Sequence, residues 1–423
     1  MTTFPTYRRS RFLDLFALLC PIFLFTEIEL VGRLFLPELL LAMILPLLIL
    51  TKGKLLLHPL PRTVIILGIL WLGGQIITDL IRNTPFSDWS RGWAKISFLI
   101  LNFSSIYLLL NNDMRRIVLF SLGFAIGGIL DYFISPSEFL LLDPWKFGLH
   151  FSGMLIMALL LQWKKIIPFR ILSVLFVVAL GLFSFYLGTR SIGAVLIVSA
   201  SYLLIYHQPK LRHWLGKNLS FGQIIVLVIV AALSVWGIIT MYSKAASSGW
   251  LGENAQAKYY LQAKGDYGFF LGGRVEIIIS SQAIINSPIL GHGSWAKSSE
   301  YRSLLLSLRE KGYEVSESAV EKNELIPTHS HLFGAWVEAG ILGALFWGWL
   351  LIFIFRLLYN LFRLQSDLLP LFVISAMFAI WTILFSPFGA IGRLQWGFLI
   401  TLFFTAMQFI HHQKPSQPQF TIQ

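Results

Sequence analysis

The sequence predicts an all-α, polytopic membrane helix bundle. Two observations carry that prediction. Of 423 residues, 56% are hydrophobic and only 13% are charged. Apolar runs of about 17 to 22 residues recur from end to end, each long enough to cross the hydrocarbon core as a helix. A third observation shapes the bundle: one long polar stretch, residues 242–330, interrupts the apolar runs. A bilayer keeps such a stretch outside its core, because unpaired backbone groups are costly in hydrocarbon.

Taken in order, about twelve spans are expected. They lie near 12–26, 34–50, 63–79, 95–110, 117–134, 147–162, 171–187, 192–206, 221–241, 331–354, 368–386 and 394–410. Glu27, Glu29 and Arg33 separate the first two, which together could form one bent hairpin. The first apolar run lacks a small-residue cleavage site and leads straight into further spans, so a removed leader is not expected. Residues 1–241 then hold nine spans, 242–330 the loop, 331–412 three more spans, and 413–423 a polar, disordered cytoplasmic tail. Apolar residues at helical spacing predict a partly helical loop, with helices from Arg274 to Ile285 and from Ser299 to Leu308. Pro288 and the glycines around it end the first of these.

Charge placement orients the bundle. With a cytoplasmic N-terminus, the cytoplasmic segments carry clusters: Arg8, Arg9 and Arg11; Lys52 and Lys54; Arg115 and Arg116; Lys164 and Lys165; Lys210, Arg212 and Lys217. The short external segments hold scattered cations: Arg33, Arg82, Arg91, Lys95, Lys146, Arg190 and Arg393. This asymmetry places both termini in the cytoplasm and the long loop outside. The net charge of +12 is thus explained by insertion into a lipid bilayer, and no nucleic-acid partner is implied. The loop itself is balanced, with nine Lys/Arg against nine Asp/Glu. One cysteine, Cys20, excludes an intramolecular disulfide and any multi-cysteine metal site. No Asp-X-Asp, Cys/His cluster or Gly-Lys-Ser/Thr phosphate loop is present, so ATP-driven transport and kinase chemistry lack support.

Chemistry-bearing residues concentrate in and beside the loop. Arg190 sits in the tight external turn Leu187–Ser191. It suits either an interfacial arginine that snorkels to headgroups or an anion contact at a helix start. Arg274 follows Gly272 and Gly273, where it is a solvated helix-end charge or a phosphate ligand. Arginine is the residue suited to bidentate phosphate contacts, so two external arginines suggest a diphosphate. His329 and His331 precede the tenth span. Each could be a polar cap, or a general base whose ordinary pKa of about 6.5 leaves a neutral imidazole to accept a proton. Two residues apart, they point to different sides, so at most one does proton work. Arg91, Lys95 and Arg393 are further external cations available to phosphate or acceptor. Glu27 and Glu29 form a rival acidic site for a divalent metal, though carboxylates at a span boundary are usually only interfacial.

Three blocks in order resemble the O-antigen ligase and O-antigen polymerase superfamily of bacterial membrane proteins. Gly188-Thr189-Arg190-Ser191 resembles the family's Ser-Arg-Gly turn. Gly273-Arg274 through Ser287-Pro288-Ile289-Leu290-Gly291-His292-Gly293 resembles its arginine block, which ends in Gly-X-Gly. His329 through Glu338-Ala339-Gly340-Ile341-Leu342-Gly343 resembles its histidine block, and spacing to Gly340 aligns His329, not His331, with the family histidine. Thr189 and Ser191 depart from the usual Ser and Gly, and Ser330 stands where Asn is usual.

The resemblance implies a GT-C-like inverting glycosyltransferase in a bacterial inner membrane, working on its periplasmic face without metal or other cofactor. The donor would be a polyprenyl diphosphate-linked glycan, the acceptor a lipid A-core or growing polysaccharide. By the resemblance Arg190 and Arg274 would hold the diphosphate and His329 would act as base; Arg91, Lys95, His331 and Arg393 are expected as substrate contacts from their external position, not from the resemblance. Ligase and polymerase are not separated by these residues. A transporter, as proposed for some inorganic-carbon members, would need ionisable groups deep in mid-span. The orientation is testable directly: a reporter fused near residue 260 should behave as periplasmic and one fused after Lys414 as cytoplasmic. The reverse pair would remove the loop from the donor's side of the membrane.

Overall fold

In a computed structural model the elements of the described residues are helices, apart from one short β-ribbon and one isolated β-bridge. The structure describes residues 10–29, 32–110, 112–162, 170–215, 236–237, 240–250, 252–253, 256–257, 259–260, 275–311 and 325–412. The expected span at 221–241 lies almost wholly outside the described residues, as does the tail 413–423.

The helices run α1 (Arg11–Ile22), α2 (Leu36–Lys52), α3 (Pro59–Arg82), α4 (Phe86–Leu110), α5 (Met114–Ile134), α6 (Glu138–Leu142), α7 (His150–Leu160), α8 (Arg170–Tyr186), α9 (Arg190–His207) and α10 (Pro209–Leu215). The loop contributes α11 (Val275–Asn286) and α12 (Ser299–Glu310), and the chain continues with α13 (His331–Leu361), α14 (Leu369–Phe385) and α15 (Ala390–His412). Among the described residues, seven helical segments are long and apolar enough to cross a membrane: Leu36–Leu57, Pro59–Arg82, Phe86–Leu110, Met114–Ile134, Arg190–His207, His331–Leu361 and Ala390–His411. Seven of the twelve expected spans thus meet that standard among the described residues. The segments Trp145–Leu160, Ile171–Tyr186 and Leu369–Phe385 are apolar but shorter. The first expected span is shorter still: α1 gives way to a 3₁₀ turn at Phe23–Phe25. Between α1 and α2 the chain is a two-stranded antiparallel ribbon, Glu27–Glu29 against Arg33–Phe35, with Glu29 opposite Arg33. Arg33 Nη1 also reaches the Glu27 carboxylate at 3.5 Å, so the rival acidic pair lies beside a cation.

Aromatic packing fills the centre. Trp71 (α3), Trp347 (α13) and Trp396 (α15) are fully buried, with Trp347 edge-on to both others at 5.8 and 4.9 Å. Two buried charge pairs tie helices together, because an isolated ion in an apolar interior costs several kcal/mol. Glu38 of α2 and Arg393 of α15 meet at 2.6 Å, and Asn102 of α4 donates to the same carboxylate at 2.9 Å. Arg116 of α5 holds Asp14 of α1 at 2.9 Å.

Helix α13 is broken on purpose near its start. Gly340 has φ 62° and ψ −153°, which is not helical. A straight helix would spend the carbonyls of Val337 and Glu338 on the amides four residues on. The break releases both, and the loop takes them: His292 donates to Val337 O at 2.7 Å and Gly293 to Glu338 O at 3.0 Å. In return Ile341 donates to Ile289 O at 3.3 Å. The exchange needs glycine on both sides. Gly291 has φ 82°, and a Cβ there would lie 2.6 Å from Gly340 N; a Cβ on Gly340 would collide with the Ile289 carbonyl oxygen. Gly340→Ala is therefore expected to destabilise by roughly 3 kcal/mol, combining left-handed strain with overpacking. Gly348→Ala, on the same helix with nothing within 4 Å of its added Cβ, is the control and should leave the melting temperature in detergent unchanged or slightly raised. Equal tolerance of the two substitutions would refute the lock.

Candidate active site

One face of α3 anchors the Gly-X-Gly turn. Gln75, Thr78, Asp79 and Arg82 follow helical spacing, so they form one polar stripe on an otherwise apolar helix. Asp79 is 3% exposed and receives Ser294 N at 2.6 Å, Ser294 Oγ at 2.7 Å and Trp93 Nε1 at 2.8 Å. Gln75 Nε2 donates to Ser294 Oγ at 2.9 Å. Thr78 Oγ1 donates to the Leu290 carbonyl. The Arg82 guanidinium donates to Gly291 O at 2.9 Å and Ser287 Oγ at 3.0 Å. Such density of donors on one carboxylate marks Asp79 as a structural post rather than a reactive acid. Sequence reasoning missed these partners: Asp79 closes the expected span at 63–79, and Arg82 counted only as an external charge. The signal that could have found them is the polar stripe itself, since Asp and Gln within a span are there for a reason.

His292, the central residue of the turn, turns inward. Its Nε2 meets the Ala283 carbonyl at 2.8 Å, tying the turn to α11. Burial pushes its pKa below the ordinary value; nearby Arg82 adds to the fall, while the carbonyl contact opposes it. The imidazole is therefore a neutral hydrogen-bonding strut.

The anchored turn, the end of the loop and the start of α13 enclose a cavity of about 380 Å³. Trp71 and Lys95 come from α3 and α4, Glu276 from the first turn of α11, and Trp295 and Ala296 from the segment after the turn. Leu325–His329 form another side, with His331, Gly334, Ala335, Val337 and Glu338 from α13 and Pro387–Gly389 from the link to α15. One ion pair and one histidine–carboxylate contact mark the wall. Lys95 Nζ meets Glu338 Oε2 at 2.6 Å, with both side chains less than a fifth exposed. His329 Nδ1 lies 3.8 Å from Glu276 Oε1. Cationic and anionic groups, a histidine and aromatic surface thus share one recess.

The expected site residues divide between this cavity and the rest of the fold. His329 lies on the wall with its side chain 45% exposed. His331 also touches the cavity but is 4% exposed, with Nδ1 against the Ser386 carbonyl at 2.5 Å and its ring packed on Trp347, Trp396 and Phe388. Between them Ser330 caps α13, accepting Phe333 N at 3.2 Å and donating to Ile383 O at 2.8 Å. The two imidazoles diverge on either side of this cap: His331 is packed into the bundle and His329 is exposed. Lys95 lines the cavity. Arg91 does not; it is held by Asp88 and stacks over Trp295 at 4.7 Å. Arg393 is sequestered with Glu38 and the Arg33 carbonyl, which gives it a structural post in place of a substrate contact. Arg190 opens α9 and lies over the Tyr242 ring at 5.5 Å, outside the cavity wall. Arg274 lies outside the described residues, directly before Val275 in the chain. Glu276 and Glu338 join the wall without having been expected as site residues. Among the described residues no group of three or more His, Cys, Asp or Glu side chains is placed to share a metal ion.

The chain matches no family model, no curated protein and no solved structure.

Proposed function

We propose that this chain is a membrane glycosyltransferase of the O-antigen ligase type. It would transfer a glycan from a polyprenyl diphosphate to an acceptor hydroxyl on the outer face of a bacterial inner membrane. The observation that carries the reading is the pairing of an exposed histidine with a carboxylate on a half-enclosed wall: His329 Nδ1 beside Glu276 at 3.8 Å. A histidine close to a carboxylate is suited to deprotonating a hydroxyl, because the carboxylate stabilises the imidazolium that forms.

In the proposed reaction the acceptor oxygen attacks the anomeric carbon as the bond to the diphosphate breaks, with inversion. His329 takes the hydroxyl proton, and the Glu276 carboxylate offsets the imidazolium charge that forms. The diphosphate leaves with the bonding pair. Cations would stabilise the charge growing on it. Arg274 and Arg190 have this role by resemblance, and Lys95 has it by position on the wall. Lys95 rests against Glu338, so an arriving phosphate would exchange one anionic partner for another without leaving a bare ammonium in the recess. A polymerase would use the same chemistry with a growing glycan as acceptor.

Two tests follow. His329→Ala should lower transfer by about 10²–10⁴-fold, the scale of a lost general base, while donor lipid still binds. Glu276→Gln should lower it less, and His331→Ala should act mainly through stability, because that ring is part of the aromatic packing. If His331 proved essential and His329 dispensable with the protein folded, the assignment of the base would be overturned. Transfer in membranes should also survive EDTA, since the proposed charge neutralisation comes from side chains. Strict dependence on a divalent ion would shift attention to Glu27 and Glu29.

A further inference from the structure

Trp295 is held in a conformation that its own chemistry disfavours. It is one of three non-glycine residues with positive φ among those described, at 53°. For a bulky side chain that geometry is disfavoured and persists only where neighbours over-determine it. The neighbours here do so on both sides. Ser294 is clamped by Asp79 through its amide and its hydroxyl. Ala296 O receives Ile326 N at 2.9 Å, and Lys297 Nζ reaches Asp88 at 3.2 Å. The backbone is thus pinned before and after the strained residue, and the pinning turns a large ring outward: Trp295 stays 37% exposed.

The exposed ring is also buttressed. Arg91 Cζ lies 4.7 Å from the ring centroid, and Arg91 is itself held by Asp88 and the Ser87 carbonyl. Arg91 is not part of the cavity wall, whereas Trp295 is. Trp295 thus lines the cavity while its ring also carries a guanidinium neighbour from outside the wall. Lys95, Glu338, Glu276 and His329 line the same cavity. A flat, rigid aromatic surface bordered by carboxylates and amine donors suits one ligand chemistry well. A pyranose presents an apolar face of C–H groups to the ring and a rim of hydroxyls to the charged groups. The volume, about 380 Å³, sits at the small end of ligand pockets and takes a short stretch of glycan rather than a folded polymer.

We infer that Trp295 is the stacking platform of a pyranose subsite, placing an acceptor sugar in the same recess as His329. The inference rests on the glycan-transfer reading but concerns binding alone. An aromatic residue that merely anchored the chain at the membrane surface would need neither a strained backbone nor a place on the cavity wall.

Saturation-transfer NMR on the full chain in nanodiscs tests it, with methyl glucoside, methyl galactoside, methyl mannoside and methyl N-acetylglucosaminide as probes and glycerol as the polyol control. Transfer to the ring C–H protons of at least one glycoside is expected, and none to glycerol. Trp295→Phe should retain it, while Trp295→Leu should weaken binding roughly tenfold, the scale of one lost aromatic contact. Should Trp295→Leu fail to fold, the wild-type chain labelled with 5-fluorotryptophan decides: its Trp295 resonance, assigned from Trp295→Phe, should shift on glycoside addition. Absence of transfer from every glycoside, transfer undiminished in folded Trp295→Leu, or a Trp295 resonance that no glycoside moves would each overturn the subsite. Glycoside binding without any glycan transfer would uphold the subsite and sink the enzyme reading. Transfer activity without Trp295-dependent binding would do the opposite.

Discussion

The structure around the cavity depends on a hydrogen-bond exchange across a broken helix. Gly340 interrupts α13 and frees the Val337 and Glu338 carbonyls, and the amides of His292 and Gly293 fill them. Buried backbone groups must be paired, so neither half of this exchange is stable without the other. A continuous α13 would leave the turn's amides unanswered, and a different turn would leave the helix carbonyls bare. The exchange thereby fixes how the Gly-X-Gly turn sits on α13. Glu338, whose carbonyl is one of the two acceptors, sends its carboxylate to Lys95 at 2.6 Å, so the same residue joins the lock to the cavity wall.

Charge inside an apolar bundle is the second constraint, and desolvation sorts the basic residues by it. Arg393 is 5% exposed and survives only because Glu38 stands 2.6 Å away. Removing either partner would strand the other as an unpaired ion, at about 3–5 kcal/mol. Arg82 and Arg91 are spent on the turn and on Trp295. Lys95 differs in that its partner, Glu338, faces the cavity with it. Position relative to a recess, not charge alone, separates a cation that builds the fold from one able to meet a substrate.

Much of the helical framework was legible in the sequence, because length and hydrophobicity decide where a helix can cross a bilayer. The loop helix Val275–Asn286 coincides with the apolar periodicity read from Arg274 to Ile285. The Glu27–Phe35 ribbon was not legible, since three-residue strands carry too little alternation to announce themselves. The Gly-X-Gly turn and the Glu-X-Gly block both stood out, but nothing local said that each completes the other's backbone. Arg393 read as an external cation because its partner Glu38 is 355 positions away, beyond any local pattern. The divergence of His329 and His331 followed from their spacing; which of them is packed was decided by Trp347 on the same helix and by Trp396 on α15.

The central claim is that a histidine–carboxylate pair in this recess drives an inverting glycan transfer. The most direct measurement is the anomeric configuration of the bond formed when the purified chain, in a defined bilayer, is given a polyprenyl diphosphate-linked oligosaccharide and a glycan acceptor. NMR of the product should show a configuration opposite to that of the donor, with free polyprenyl diphosphate released in equal amount. Retention of configuration, or a donor that stays intact, would contradict the account.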